Sequence, residues 1–246
     1  MTQVVSLFSA PEEKYLDHIQ KCDQKFNLVF PIFYPTLLRI FGNDSSIIQG
    51  NLKKSFLKMI LFHDLGKLTK RWQERVGSGK SLPSHSTLGA SYIWNILPNS
   101  IKEPLSFAVS IHHTDRGLLG DNIERPDVQA ILDGIVNNNG NINWHDDIKN
   151  LSKEYFPEDV YEIKVHSLKD MARGLRIWAK GCSLLEQHKR RLQASLAHHI
   201  LKLCDISAAA ERKEYEKKNE KDYYGGWLMV DNIKKYVDSI IERANL

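Results

Sequence analysis

In the run Leu61-Phe62-His63-Asp64-Leu65-Gly66-Lys67 an imidazole and a carboxylate stand side by side at the end of an apolar stretch. Neutral imidazole and carboxylate together suit divalent transition metals, and a carboxylate can bridge two of them. Lys67 lies one helical turn beyond His63, so its ammonium reaches the same corner. Taken alone the pair has a plainer reading, with His63 capping a helix C-terminus and Asp64 solvated.

Other residues of the same chemistry are spread along the chain. His18 lies in a helical stretch beside Leu16 and Ile19, where it reads equally as a satisfied core histidine. Asp205 is embedded in Leu201-Lys202-Leu203-Cys204-Asp205-Ile206, an otherwise core-like helix. A carboxylate there carries a heavy desolvation cost, which either a cation or an Arg or Lys partner would offset. His85 falls where Pro83-Ser84 turns into a helix, and His112-His113 end another. Adjacent helical residues point about 100° apart, so that pair shares one ion only where the backbone leaves the helix. Of the ten histidines, His145, His166 and His188 have polar settings, and His198-His199, on the helix of Asp205, read as structural or peripheral.

The order His18, His63-Asp64, His85, His112-His113, Asp205 resembles the HD superfamily of metal phosphohydrolases. More narrowly it is similar to the HD nuclease of type I CRISPR-Cas systems, the subunit or domain that accompanies the interference helicase. The local matches are His63-Asp64-Leu65-Gly66-Lys67, His85-Ser86-Thr87-Leu88-Gly89-Ala90, His112-His113 and Leu203-Cys204-Asp205-Ile206-Ser207-Ala208, within about residues 10–210. The resemblance implies a two-metal site. One ion goes to His18, His63, Asp64 and Asp205, and a second to His85, His112 and His113, with Asp64 bridging. The ions are divalent: manganese, nickel, cobalt, iron, magnesium or zinc.

The resemblance also implies the reaction, hydrolysis of single-stranded DNA and possible action on RNA, with Asp64 and Lys67 at the chemistry. Paired ions activate a water and stabilise both oxygens of an in-line displacement, and Lys67 would oppose charge on the phosphate. Lys70, Arg71, Arg75 and Lys80, with Trp72 among them, offer a basic track with an aromatic for stacking; the plain alternative is a solvated helix with Trp72 packed inward. The implied partners are a separate CRISPR helicase subunit and the RNA-guided surveillance complex. Gly77-Ser78-Gly79-Lys80-Ser81 is not a phosphate-binding loop, because Glu74 stands where glycine is needed and a helical segment precedes it. Two other functions stay open: an HD phosphohydrolase of nucleotides or cyclic nucleotides, and a non-catalytic HD scaffold.

The elements that position these residues read as helices, giving an all-α expectation, an HD-type helical bundle with a metal site in its centre. Pro11-Glu12-Glu13 reads as a first helical turn leading into Tyr15, Leu16, Ile19, Phe26 and Val29. Further helices are expected over about 46–65, 69–75, 86–97, 103–113, 126–136, 163–182, 185–215 and 227–243, and Asn137 to Asn143 is expected as a loop. The helix over 163–182 carries Leu168, Met171, Leu175 and Trp178 inward, and the one over 185–215 carries Leu192, Leu196, Ile200, Leu203 and Ile206 inward. At 246 residues the chain suits one domain, with a C-terminal helix at about 227–244 as an appended element. A net charge of +4 permits a polyanionic partner without requiring one. Three cysteines with no CxxC pair fit a reducing cytoplasm, and no long apolar run suggests a membrane span.

Overall fold

The apolar period near the start of the chain winds into α1, Tyr15–Phe41, which turns Tyr15, His18, Ile19, Cys22, Phe26, Val29 and Phe30 to one buried face. The computed structural model describes residues 7–42, 49–99, 101–113, 135–137, 139–181, 183–211 and 226–244. Among them eight α-helices carry the architecture: α1, α2 (Gln49–Phe62), α3 (Lys70–Arg75), α4 (Ser86–Ile96), α5 (Lys102–Ser110), α6 (Val165–Lys180), α7 (Leu184–Ala210) and α8 (Gly226–Ala244). The long helix α7 lies against α1, α5 and α8, while α4 packs on α5 and α6. One core cluster runs from Leu7 through Phe56, Leu88 and Met171 to Ala208, and a smaller one joins Val29 and Leu203 to Val237 of α8.

Several expectations need correction. Pro11 does not open a helix; it lies in the turn of a two-stranded antiparallel ribbon, β1 (Phe8–Ala10) with β2 (Glu13–Lys14), and α1 begins only at Tyr15. Proline followed by acidic residues suits a helix start and a tight turn equally. The ribbon is held by Gln73, whose side chain accepts from the Phe8 amide and donates to the Phe8 and Lys67 carbonyls. Leu192 is 53% exposed rather than inward. The first half of α7 carries no fully buried residue before Ala194, so its apolar period continues beyond the core it packs on. Isolated bridges Val136–Ile142 and Asn141–Lys164 border the loop expected at Asn137 to Asn143, and 3-10 turns follow it at Asp146–Asn150 and Glu158–Glu162. The helix expected from Pro126, and residues Ile47, Ile48 and Cys182, lie outside the described residues.

Two glycines fix how the central elements meet. α2 stops at Phe62 and the chain continues through a 3-10 turn, Leu65–Leu68, rather than as helix to Leu65. A Cβ on Gly66 would stand 2.2 Å from the His85 carbonyl oxygen, and one on Gly89 would stand 2.4 Å from that of Phe62 and 2.5 Å from that of His63. Neither distance is compatible with a side chain, so the end of α2 and the start of α4 touch backbone to backbone. A strap from the 137–150 stretch covers the same turn, with the Lys70 amide donating to the Asn143 carbonyl and the His145 amide to the Leu68 carbonyl.

Candidate metal centre

Five elements bring the seven sequence-selected donors together. His18 comes from the first turn of α1, His63 and Asp64 from the end of α2, His85 from the residue before α4, and Asp205 from the last turns of α7. His112 and His113 follow the end of α5 at Ser110, in a turn. That departure from helix lets both rings face one point: the centroids of His112 and His113 are 3.9 Å apart, and each stands beside His85.

The donors fall into two groups that share Asp64. Its Oδ2 lies 3.4 Å from both His18 Nε2 and His63 Nε2. Asp205 Oδ1 completes that side at 3.2 Å from His18 Nε2 and 3.8 Å from His63 Nε2. Asp64 Oδ1 faces the other way, 3.2 Å from His85 Nε2 and 3.5 Å from His112 Nε2. His113 Nε2 reaches His85 Nε2 at 2.5 Å. A tetrahedral ion held at ~2.1 Å by nitrogen and oxygen separates its donors by about 3.4 Å. Apart from the short His85–His113 contact, the observed spacings of 3.2–3.8 Å cluster around that value.

The hydrogen bonds on the far side of each ring decide what faces inward. His63 Nδ1 donates to the Ile60 carbonyl at 2.7 Å and His112 Nδ1 to the Val109 carbonyl at 2.6 Å. A carbonyl only accepts, so each neutral ring carries its hydrogen on Nδ1 and turns the Nε2 lone pair toward Asp64. At His18, Glu13 Oε2 stands 3.2 Å from Nδ1, while Ser9 Oγ donates to the same oxygen at 2.8 Å. Glu13 thus faces the outer nitrogen of a histidine whose inner nitrogen points at two carboxylates. Sequence reading missed it, because nothing in Pro11-Glu12-Glu13 signals that Glu13 is buried.

Electron pairs converging on a carboxylate need a cation or protons between them. Asp64 Oδ1, His63 Nε2 and His112 Nε2 are buried without a hydrogen-bond partner. Lys67, on the 3-10 turn, supplies one positive charge: its Nζ lies 2.7 Å from Asp64 Oδ2, and the residue is 5% exposed. One ammonium reaches one oxygen and leaves the Oδ1 side without a cation of its own. Burial opposes ionisation of Asp64, but the adjoining His63 ring and the Lys67 ammonium outweigh it and hold its carboxyl well below the usual range. Burial opposes that of Asp205 too, and His18 and His63 outweigh it there. Burial lowers His85 to about 4, against the pull of Asp64, so that ring is neutral near neutral pH. The donor set therefore fits divalent metal.

Cys22, one turn along α1 from His18, places Sγ 3.6 Å from His18 Nε2, and burial pushes its thiol pKa up. It was passed over in the sequence because it belongs to no cysteine pair, although its four-residue spacing from His18 puts the two on one helix face.

The remaining candidates divide. Lys70 and Lys80 are exposed, and Arg71 and Arg75 are half-buried, with Arg75 donating to the Ser81 carbonyl at 2.9 Å. Trp72 is not a stacking platform: it is 4% exposed and packs edge-on against His85, with the Lys67 ammonium over its ring. Gly77 and Gly79 adopt positive φ in an exposed turn, and the element immediately before them is the helix α3 rather than a strand. His145 caps a 3-10 turn by accepting from the Asp147 amide. His199 lies edge-on to Phe33, and neither it nor His198 belongs to either donor group. Among the described residues no helix is long and apolar enough to cross a membrane.

No family model and no curated protein matches the sequence. In fold the chain is similar to the CRISPR-associated Cas3 HD domain protein from Methanocaldococcus jannaschii, with a TM-score of 0.61 at 15% identity over 80% of this chain and 100% of that one. The mostly helical HD architecture is what the two share.

Proposed function

We propose that this chain is a metal-dependent phosphodiesterase that cleaves single-stranded DNA in CRISPR interference, with two divalent ions at the Asp64 centre. The observation that carries the reading is the carboxylate of Asp64, with Oδ2 turned to His18 and His63 and Oδ1 to His85 and His112. A single ion needs one such face; two faces on one bridging carboxylate suit a pair. The likeness in fold to a CRISPR-associated Cas3 HD domain supports the biological setting.

His18, His63 and Asp205 would hold one ion, His85, His112 and His113 the other, and Asp64 both. Ions held there would make a water nucleophilic near neutral pH and draw charge from the phosphate. The chain's own part is placement. Nδ1 hydrogen bonds lock the His63 and His112 rings, Glu13 faces the outer nitrogen of His18, and backbone contact through Gly66 and Gly89 fixes His85 against Asp64. Lys67, whose Nζ lies 2.7 Å from Asp64 Oδ2, would meet a phosphate oxygen brought to that carboxylate. His113, the exposed member of the group, marks the side open to solvent. Lys70, Arg71, Arg75 and Lys80 would contact the strand's phosphates. A separate CRISPR helicase and the RNA-guided surveillance complex would deliver it.

The test is cleavage of circular single-stranded DNA by metal-stripped protein restored with manganese, beside Asp64→Ala. Metal-dependent cutting that vanishes in Asp64→Ala is expected. Equal activity in both proteins would refute the assignment, and turnover of small nucleotides with no DNA cleavage would move it to a nucleotide phosphohydrolase.

A further inference from the structure

We infer that Cys22 is a sulfur ligand in the His18–His63–Asp205 half of the centre, so that this half is built for a thiolate-accepting ion such as zinc or cobalt and differs from its neighbour. The inference rests on the metal reading above and specifies the chemistry of one of its halves.

Cys22 follows His18 by one turn of α1 and is fully buried. Its Sγ and one donor atom each of His18, His63 and Asp205 all lie within 4.8 Å of one another. An ion with nitrogen at ~2.0–2.1 Å and sulfur at ~2.3 Å sets adjacent donors about 3.1–3.6 Å apart as bond angles open from about 90° to the tetrahedral value, a range that covers five-coordinate shells. The Sγ to His18 Nε2 distance is 3.6 Å. A second argument comes from hydrogen bonding. Cys22 Sγ faces His18 Nε2, with the acidic oxygen of Glu13 on the ring's other side. Once Nε2 is given to a metal it no longer serves the thiol as a partner, and coordination would replace that contact with loss of the S–H proton to solvent.

The other donor group, Asp64 with His85, His112 and His113, contains nitrogen and oxygen only among the described residues. Thiolate favours softer ions, while imidazole and carboxylate alone discriminate less strongly against manganese. The two halves thus rank metals differently, and a mixed pair is the arrangement they favour. The alternative is that Cys22 is a small apolar residue that fills the core beside the site.

Cobalt(II) decides between them, because sulfur bound to cobalt gives an intense near-ultraviolet charge-transfer band, separate from the weak visible bands of any cobalt site. Metal-stripped full-length protein is titrated with cobalt(II) alone, alongside Cys22→Ser, Cys22→Ala and Cys204→Ser. The expected result is visible and near-ultraviolet bands in the wild type and in Cys204→Ser, with only the visible bands in the Cys22 variants. Preference for zinc over manganese, measured by competition, should fall by about tenfold or more in Cys22→Ser. Visible bands without the near-ultraviolet band in the wild type would overturn the sulfur ligand while leaving the metal centre standing, even if the variants fail to fold. Persistence of the band in a folded Cys22 variant would overturn it as well. No spectral change at all in the wild type would remove the metal centre and this inference together.

Discussion

The Lys67 ammonium lies 2.7 Å from Asp64 Oδ2, the oxygen turned toward His18 and His63. A buried ammonium on a metal-facing oxygen competes with the metal electrostatically. Lys67→Met, which keeps the stem and removes the charge, is therefore expected to bind manganese at least as tightly as the wild type. If Lys67 also meets the phosphate, kcat on single-stranded DNA falls by about 10²-fold. Calorimetric titration and single-turnover cleavage measure the two; weakened metal binding with an unchanged rate would assign Lys67 to structure.

Glu13 would act on a bound metal through His18. Its Oε2 is 3.2 Å from the outer ring nitrogen, and carboxylates behind a ligating histidine fix the ring and raise its basicity. Glu13→Gln is expected to weaken manganese binding by about 10–100-fold. The far-ultraviolet circular dichroism should match the wild type. An unchanged dissociation constant would reduce Glu13 to a ribbon residue.

Gly89→Ala tests the backbone contact between α2 and α4. The added methyl would meet the carbonyl oxygens of Phe62 and His63 at 2.4 and 2.5 Å, so the helices must part. Overpacking of this kind costs about 1–3 kcal/mol, and each kcal/mol lowers Tm by about 2–4 °C in a chain of this size. Because the shift also moves His85 from Asp64, manganese affinity should fall together with Tm. A Tm equal to wild type would show that the contact yields freely.

Trp72→Ala separates packing from strand binding. At 4% exposure and packed against His85, Trp72 should cost about 3–5 kcal/mol of stability on truncation. Lys70→Ala, at an exposed position, should leave Tm within a degree or so and weaken DNA binding in a salt-dependent way. Thermal unfolding and fluorescence anisotropy read both; a stable Trp72→Ala that has lost DNA binding would restore the stacking role.

Much of the centre was legible because its chemistry is local. His63-Asp64 is an adjacency, and His112-His113 can share a target only off the helix, which is where the turn after Ser110 places them. Asp205 was legible as a charge in an apolar helix. Glu13 was not, since its burial comes from a ribbon held by Gln73, a contact across the sequence that no periodicity reports. Cys22 was visible as a neighbour of His18 on a helix, but its nearness to His63 and Asp205 depends on how α1 meets α2 and α7. The reversal at Leu192 has the same origin: a helix's apolar stripe shows which face is greasy, not how far along the helix its neighbours extend.

The donors come from α1, the end of α2, the entry to α4, the exit of α5 and the end of α7. Whatever occupies the centre is accordingly a clasp as well as a reagent, fastening the first helix of the bundle to the seventh. Binding that only the folded chain offers stabilises it by ~2.7 kcal/mol when free ligand stands at a hundred times its dissociation constant. Melting temperature should track free metal concentration, and a chelator should lower it as it silences the chain.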